Sequence, residues 1–469
     1  MLIGGVAAAG GSAFGNGASG QQTRVSEGGE ESRAGLTRSA RYPMRSPAGE
    51  HPSRPWQRFL DNPPPLGMPN EHYKPVFTPN NEAMPFRIVD GWKVFHLTLQ
   101  PIIHTIVEGL TVHAWGINGR TPGPTIEAVQ GDRVRLFVTN RLPVPSAIHW
   151  HAVILPNGMD GVGGVTQPHI PPGQTFMYEY IFPDHGTFMY HSHVDVMTQD
   201  GLGVQGMLIV HPRDAEDPPP DRDFVILLHE QFVDGGTFRP DPFEMADFNI
   251  LTMNGKVLPG TYPLVCQLGD HVRIRIGNLS PMSHHPIHLH GHSFRITATD
   301  GGPIPREAQW PETSVLVAVG QTRNIEFFAN NPGDWVMHCH MTHHTMNQMG
   351  HAFENTIGVD DHEVSKKIKL LIPGYMTMGK GGMIEMATMK MPIPENTIPM
   401  LGVRGQFGPT VFGGMATIVK IRERAPTYDD PGWYQYPEGT VARLARPEEL
   451  QANGVETQSD TEQEGHEAL

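Results

Sequence analysis

Two segments of this chain are near copies of one another. Gly131-Asp132-Arg133-Val134-Arg135-Leu136-Phe137-Val138-Thr139-Asn140 recurs as Gly269-Asp270-His271-Val272-Arg273-Ile274-Arg275-Ile276-Gly277-Asn278. Both alternate apolar with polar residues, the period of a strand with one buried face. An Asn-Gly turn precedes each copy (Asn118-Gly119 and Asn254-Gly255), and a His-x-His follows each (His149-Trp150-His151 and His288-Leu289-His290), 18 and 19 residues beyond the glycine. A second His-x-His closes each unit, His191-Ser192-His193 and His338-Cys339-His340. An internal repeat fixes architecture before any other signal.

The repeat predicts an all-β fold of two β-sandwich domains, 85–212 and 221–360, joined by Asp217-Pro218-Pro219-Pro220. The 44 prolines and 53 glycines agree, since they favour short strands joined by turns. Residues 1–84 read as an irregular leader and linker, 361–424 as a methionine-rich extension wrapped over the sandwiches, and 425–469 as an acidic tail. A net charge of −15 repels phosphate backbones and anionic lipid, which argues against nucleic acid as a partner. No stretch is long and apolar enough for a spanning helix. Met1-Leu2-Ile3-Gly4-Gly5-Val6-Ala7-Ala8-Ala9 matches the apolar part of an export signal, without a basic region before it, and sets a periplasmic or extracellular expectation.

The 26 histidines are about twice an average share. In a strand, alternate residues share a face, so each His-x-His aims two imidazoles the same way. One such pair is a weak signal; four at matched positions of a repeat predict a metal cluster, and copper accepts imidazole readily. The two cysteines provide no disulfide framework. Cys266, in Leu264-Val265-Cys266, reads as a buried small hydrophobe. Cys339 is different, because His344 follows five residues on and Met349 ten residues on. A thiolate, two imidazoles and a weak axial thioether make a blue-copper electron-transfer site, with His285 expected as the second imidazole. Cys339 would then bind one metal while His338 and His340 reach a cluster from the opposite face.

These motifs resemble those of the multicopper oxidases, the laccase and copper-resistance oxidase family, over about residues 85–360. The resemblance implies two cupredoxin-like Greek-key sandwiches and four copper ions per chain. It makes His285, Cys339, His344 and Met349 the type 1 ligands, and His149 and His288 the type 2 ligands. His151, His191, His193, His290, His338 and His340 become the type 3 ligands. Two domains with the blue site in the second resemble the two-domain laccases, which implies a homotrimer with each cluster between neighbouring subunits. Asp160 matches the family's carboxylate near the cluster, where a carboxylate can relay protons. The chain departs from many relatives at Thr345, where they carry a second acid, and Asp195 is a candidate replacement. His284, His292, His343 and His351 fall outside the matched positions and read as supporting or surface residues; His169 reads as structural.

The implied activity is one-electron oxidation of a reductant coupled to reduction of dioxygen. Phenols, aromatic amines and Cu(I) all qualify as donors. Methionines 376, 378, 383, 386, 389, 391, 400 and 415 fit either soft Cu(I) ligands or flexible packing. A copper nitrite reductase is a rival reading, opposed by Ser192 standing in the first unit where the second has Cys339. A copper-sequestering protein is another, though storage requires no Cys-His-His-Met site joined to a cluster.

Overall fold

The computed structural model describes residues 54–214, 218–347, 362–371, 395–399 and 403–456. The Asp217 end of the expected linker, Met349, His351, the methionines from 376 to 400 and the last residues of the acidic tail lie outside them.

The repeat folds twice into the same arrangement of strands. The first copy comprises β1 (Phe86–Val89), β2 (Trp92–Val107), β3 (Leu110–Ile117), β4 (Gly123–Val129), β5 (Arg133–Asn140), β6 (Ile148–His151), β7 (Thr175–Ile181), β8 (Gly186–Ser192) and β9 (Gln205–His211). They form one sheet in the order β1-β2-β5-β7, with β3 on β2, and a second in the order β4-β9-β8-β6. The next strands are β10 (Arg222–Gln231), β11 (Ile250–Met253), β12 (Leu264–Gln267), β13 (His271–Asn278), β14 (His285–Leu289) and β15 (Phe294–Thr299). After two short pieces, β16 (Gly302–Pro303) and β17 (Trp310–Glu312), come β18 (Ser314–Val317), β19 (Thr322–Phe328) and β20 (Gly333–Cys339). A hairpin, β21 (Arg404–Gly405) and β22 (Gly408–Pro409), precedes β23 (Ala416–Arg422). The second copy's sheets run β11-β10-β13-β19-β15-β16 and β12-β23-β20-β14-β18.

The repeated strands β5 and β13 hold equivalent places, each parallel to the strand before it and antiparallel to the one after it. Repeated residues also repeat their work. Asn118 and Asn254 each take up a left-handed turn conformation and accept a backbone N–H, from Thr98 and Leu227 respectively. Asp132 and Asp270 each accept the amide three residues earlier, from Val129 and Gln267. The two cores are separate: Phe95, Leu97, Trp150 and Tyr190 belong to the first, and Ile274, Ile287, Met337 and Ile421 to the second.

Two expectations change. Residues 361–424 are not wholly an extension, because β23 pairs antiparallel with β20 and parallel with β12, as β9 does with β8 and β4. The second sandwich needs that strand to satisfy the backbone of β20. Residues 54–84 hold one short helix, α1 (Gln57–Asp61), and are otherwise irregular, but docked. Phe77 donates its amide to Asp223, its carbonyl accepts from Val225, and its ring stacks on Tyr428 at 4.2 Å. Met84 donates to Thr125 in the first sandwich, so this segment spans both.

The sandwiches meet through Met189, Met207 and Ile209 on one side and Val225 and Leu227 on the other. Gly277 sits at this contact. A Cβ there would lie 2.8 Å from the Met207 sulfur and 2.9 Å from that of Met189.

Candidate metal centre

Strands β14 and β20 pair antiparallel with Ile287 opposite Cys339 and His288 opposite His338. This register sets His285 and Cys339 on one face and the His-x-His residues on the other. A 3-10 turn, Thr342–Thr345, then brings His344 back to the thiol. Cys339 Sγ lies 3.7 Å from His285 Nδ1 and 3.5 Å from His344 Nδ1, and the two nitrogens are 3.2 Å apart. Cys339 and His285 are fully buried. His285 Nε2 is 2.7 Å from Ser280 Oγ, so Nε2–H donates there and the Nδ1 lone pair faces the thiol.

The protonation states suit a cation. Burial, with the nearby His344, lowers His285 to about 3, and burial lowers His344 to about 4, so both rings are neutral donors. Burial pushes the Cys339 thiol up to about 12, so its thiolate requires an adjacent positive charge. Three soft or borderline donors converging with no cationic side chain among them fit a copper ion.

The histidines of the first copy form a second group. Strands β6 and β8 pair with His149 opposite His191. The rings of His149, His151, His191 and His193 lie 5.4–6.1 Å apart in five pairs. His149 Nδ1–H donates to the Asp160 carbonyl at 2.8 Å and His191 Nδ1–H to Ser192 O at 2.8 Å, which leaves each Nε2 for the group's centre. His151 is reversed: Nε2–H donates to Gly320 O at 2.8 Å, and Nδ1 lies 3.2 Å from His191 Nε2. Burial, with His191 and His149 close by, lowers His151 to about 4. At His191 burial works against the charged form, but Asp200 outweighs it and raises the ring.

The third group is His288, His290, His338 and His340, with rings 4.8–5.7 Å apart in five pairs. His288 Nδ1–H donates to Thr313 O at 2.7 Å, and His338 Nδ1–H to the carbonyl of Cys339 at 2.8 Å. His290 and His340 are exposed. Among the described residues, ring contacts join histidines within each group of four and none joins the two groups.

The acids are placed unequally. Asp160 Oδ1 lies 3.5 Å from His149 Nδ1, beside the group. Asp195 does not reach it: the residue is exposed, in a left-handed conformation ahead of α2 (Val196–Gly201), and its side chain makes no capping bond. A second acid at the histidines is Asp200, whose Oδ2 is 3.0 Å from His191 Nδ1. Nine residues of spacing carried no signal for it; the turn of α2 supplies the approach. Of the other histidines, His284 Nδ1 accepts the Val319 amide, His292 is buried against Phe327 and Trp335, and His169 is exposed beside Gly163. Cys266 is buried in the second core as expected.

The first sandwich holds the same pocket with different contents. Ile148 pairs with Ser192 as Ile287 pairs with Cys339, and Ser146 precedes His149 by three residues as His285 precedes His288. Ser146 and Ser192 both donate at 2.7 Å to Gln199 Oε1. Three neutral hydrogen-bonding groups stand where the second sandwich places its thiol and imidazole.

Duplicated sandwiches with a thiol and imidazoles converging between strands define the cupredoxin-like metalloproteins. Two family profiles, each described as multicopper oxidase, match residues 99–215 and 236–359, together about half of the chain. The chain belongs to the multicopper oxidase family. It is 30% identical over 237 residues to the multicopper oxidase MmcO of Mycobacterium tuberculosis, covering 44% of each protein. It is 28% identical over 243 residues to copper resistance protein A of Escherichia coli, covering 42% of this chain and 40% of that protein. The chain thus spans about two fifths of the length of the curated relatives it matches. Among solved structures, the multicopper oxidase mgLAC aligns with a TM-score of 0.52 and 25% identity, over 74% of this chain and 91% of that one. The blue copper oxidase of Nitrosomonas europaea aligns with a TM-score of 0.53 at 24% identity, over 78% and 95%, a likeness of fold.

Proposed function

We propose that this chain oxidises a reducing substrate one electron at a time at a type 1 copper and passes the electrons to dioxygen at a three-copper cluster, which yields water. The type 1 copper would be held by His285, Cys339 and His344, with Met349 as the further ligand expected from the sequence. His149 and His288 serve the type 2 ion; His151, His191, His193, His290, His338 and His340 serve the type 3 pair. The observation that carries this reading is the placement of Cys339. Its sulfur meets His285 and His344, while its carbonyl holds His338 in the neighbouring group.

Bound copper supplies reversible one-electron chemistry and a site for dioxygen. The chain supplies the rest. Ser280 and Asp160 fix ring tautomers so that lone pairs converge. The neutral imidazoles of His151, His285 and His344 avoid competition between protons and metal. Asp160 lies beside His149, which supports a role for it in passing protons during reduction.

Each chain holds two groups of four histidines, and a three-copper cluster needs both kinds. A homotrimer, in which the first sandwich of one subunit faces the second of its neighbour, joins them. The exposed apolar side chains Met197, Met282 and Leu316, on segments next to the histidines, favour such burial. Phenols, aromatic amines and Cu(I) are the proposed donors. Export to the periplasm or cell exterior is proposed from the apolar Met1–Ala9 stretch, and fractionation of cells expressing the full chain tests it.

The deciding experiment combines a copper count, absorption and paramagnetic resonance. Four coppers per chain with an intense blue band are expected, and Cys339→Ser should remove the band while three coppers stay. Oxygen uptake is then measured with a substituted phenol and with Cu(I). Full copper loading without uptake from either donor would identify a sequestering protein instead.

A further inference from the structure

Asn278 ends β13 and is fully buried. Its Oδ1 accepts the Ser280 amide at 2.8 Å, and its Nδ2 donates to Ser283 O at 3.0 Å and to Val317 O at 2.9 Å. Its carbonyl accepts the Gly320 amide at 2.9 Å, and its own amide donates to Gln321 O at 3.1 Å. One residue thus pins the loop 280–283 and the turn 317–321 to each other.

Each of these segments carries an oxygen that orients a histidine. Ser280 Oγ receives His285 Nε2–H at 2.7 Å, on the side of the ring away from the thiol. Gly320 O receives His151 Nε2–H at 2.8 Å, across the contact between the sandwiches. An acceptor fixed on the far nitrogen holds an imidazole in the tautomer and orientation that its metal needs.

The first sandwich holds the same device with no ring attached. Asn140, equally buried, accepts the Leu142 amide at 2.9 Å and donates to Val144 O at 2.8 Å and Ile170 O at 2.9 Å. Its carbonyl accepts the Gly173 amide at 2.7 Å, and its amide donates to Gln174 O at 2.9 Å. Leu142, without a hydroxyl, stands where the second copy has Ser280. A Cβ added to Gly173 would meet no described atom within 4 Å, whereas one added to Gly320 would lie 3.6 Å from His151 Cε1. Bonds needed only to close a sandwich are common to both copies, and the copies differ where the second meets the histidines.

We propose that Asn278 is a positioning residue shared by two metal groups, setting His285 through Ser280 and His151 through the carbonyl of Gly320. This rests on the function proposed above, which makes both rings copper ligands.

Asn278→Ala, Ser280→Ala and Asn140→Ala are each made in the full chain. Copper retained against a competing chelator is counted, and the blue band reports the thiolate site separately. Asn278→Ala should weaken retention at the thiolate site and at the histidine groups, each by about tenfold or more. Ser280→Ala should weaken the thiolate site alone. Asn140→Ala breaks the matching bonds and should lower Tm similarly while both kinds of site keep their copper. Equal losses of copper in Asn278→Ala and Asn140→Ala would make the residue mere scaffold and overturn the proposal, as would a loss confined to the thiolate site. Should Asn278→Ala fail to fold, Asn278→Asp replaces it, since it keeps an acceptor for Ser280 and lacks the N–H donors to Val317 and Ser283. It should weaken the histidine groups more than the thiolate site, and wild-type retention at both overturns the proposal. A fully loaded blue wild type whose copper is indifferent to these changes overturns this inference alone. A wild type that binds no copper overturns the function proposed above and this inference with it.

Discussion

Lys93 and Asp132 are wholly buried and pair at 2.7 Å, with Asp132 also accepting from Gly67, Val129 and Arg213. Taking one partner away strands the other charge, so Lys93→Ala should cost roughly 3–5 kcal/mol. Denaturant unfolding checks this; a loss below 1 kcal/mol would contradict it. Glu326 gives a pH-dependent case. Burial raises it, yet bonds from His271 and Arg273 prevail and hold it at about 2 against an ordinary 4.5. Because the folded value lies below the unfolded one, the stabilisation is complete above about pH 4.5 and fades as pH falls towards 2. It is on the order of 3 kcal/mol at neutral pH. The stability gap between wild type and Glu326→Gln should narrow across that window, and a constant gap would refute the linkage. Residues of this kind were the least legible in sequence. Asp200 belongs to no motif, and it meets the histidine-bearing segment only because a turn brings it there. By contrast the His-x-His pairs were legible, since the period of a strand fixes where alternate side chains go.

Single elements show a similar division. The repeat announced β5 and β13 through alternation and terminal asparagines, and both asparagines tie down the loop that follows, Asn140 to Val144 and Asn278 to Ser283. β23 was hidden. Its counterpart β9 follows β8 after twelve residues, whereas 76 residues separate Cys339 from Ala416, too many for adjacency in sequence to suggest pairing. Ile421 on β23 is fully buried in the second core, so Ile421→Ala should cost roughly 2–5 kcal/mol. Thermal unfolding tests it, and a Tm unchanged within a degree would mean that the strand is dispensable. The 54–84 segment also escaped prediction, because it docks through single aromatic contacts and isolated bridges that leave no periodic trace.

For the molecule as a whole, the contact between sandwiches and the proposed contact between subunits make separate predictions. Gly277 admits no side chain against Met189 and Met207, so Gly277→Leu should pry the two sandwiches apart and lower Tm. Retention of wild-type Tm would show that the interface yields freely. The proposed trimer predicts a sedimentation mass of three chains. A monomeric variant should keep one copper, at the buried thiol, and lose the other three, because the proposed cluster draws its histidines from two chains. Four coppers in a monomer would refute the trimer.

The adjoining ends of β20 and β23 behave as a hem. The chain leaves it at Cys339, whose amide bonds Met415 O at 3.0 Å, and returns with Ala416 paired to His338. The chain between His340 and Gly414 thus joins two points that are already stitched together. Closing a longer or shorter path between fixed points changes the entropy only slowly with length. This makes the span between them, rather than either sandwich, the stretch whose sequence can be exchanged at least cost to the fold, provided that the proposed ligands His340, His344 and Met349 are kept in whatever is sewn in.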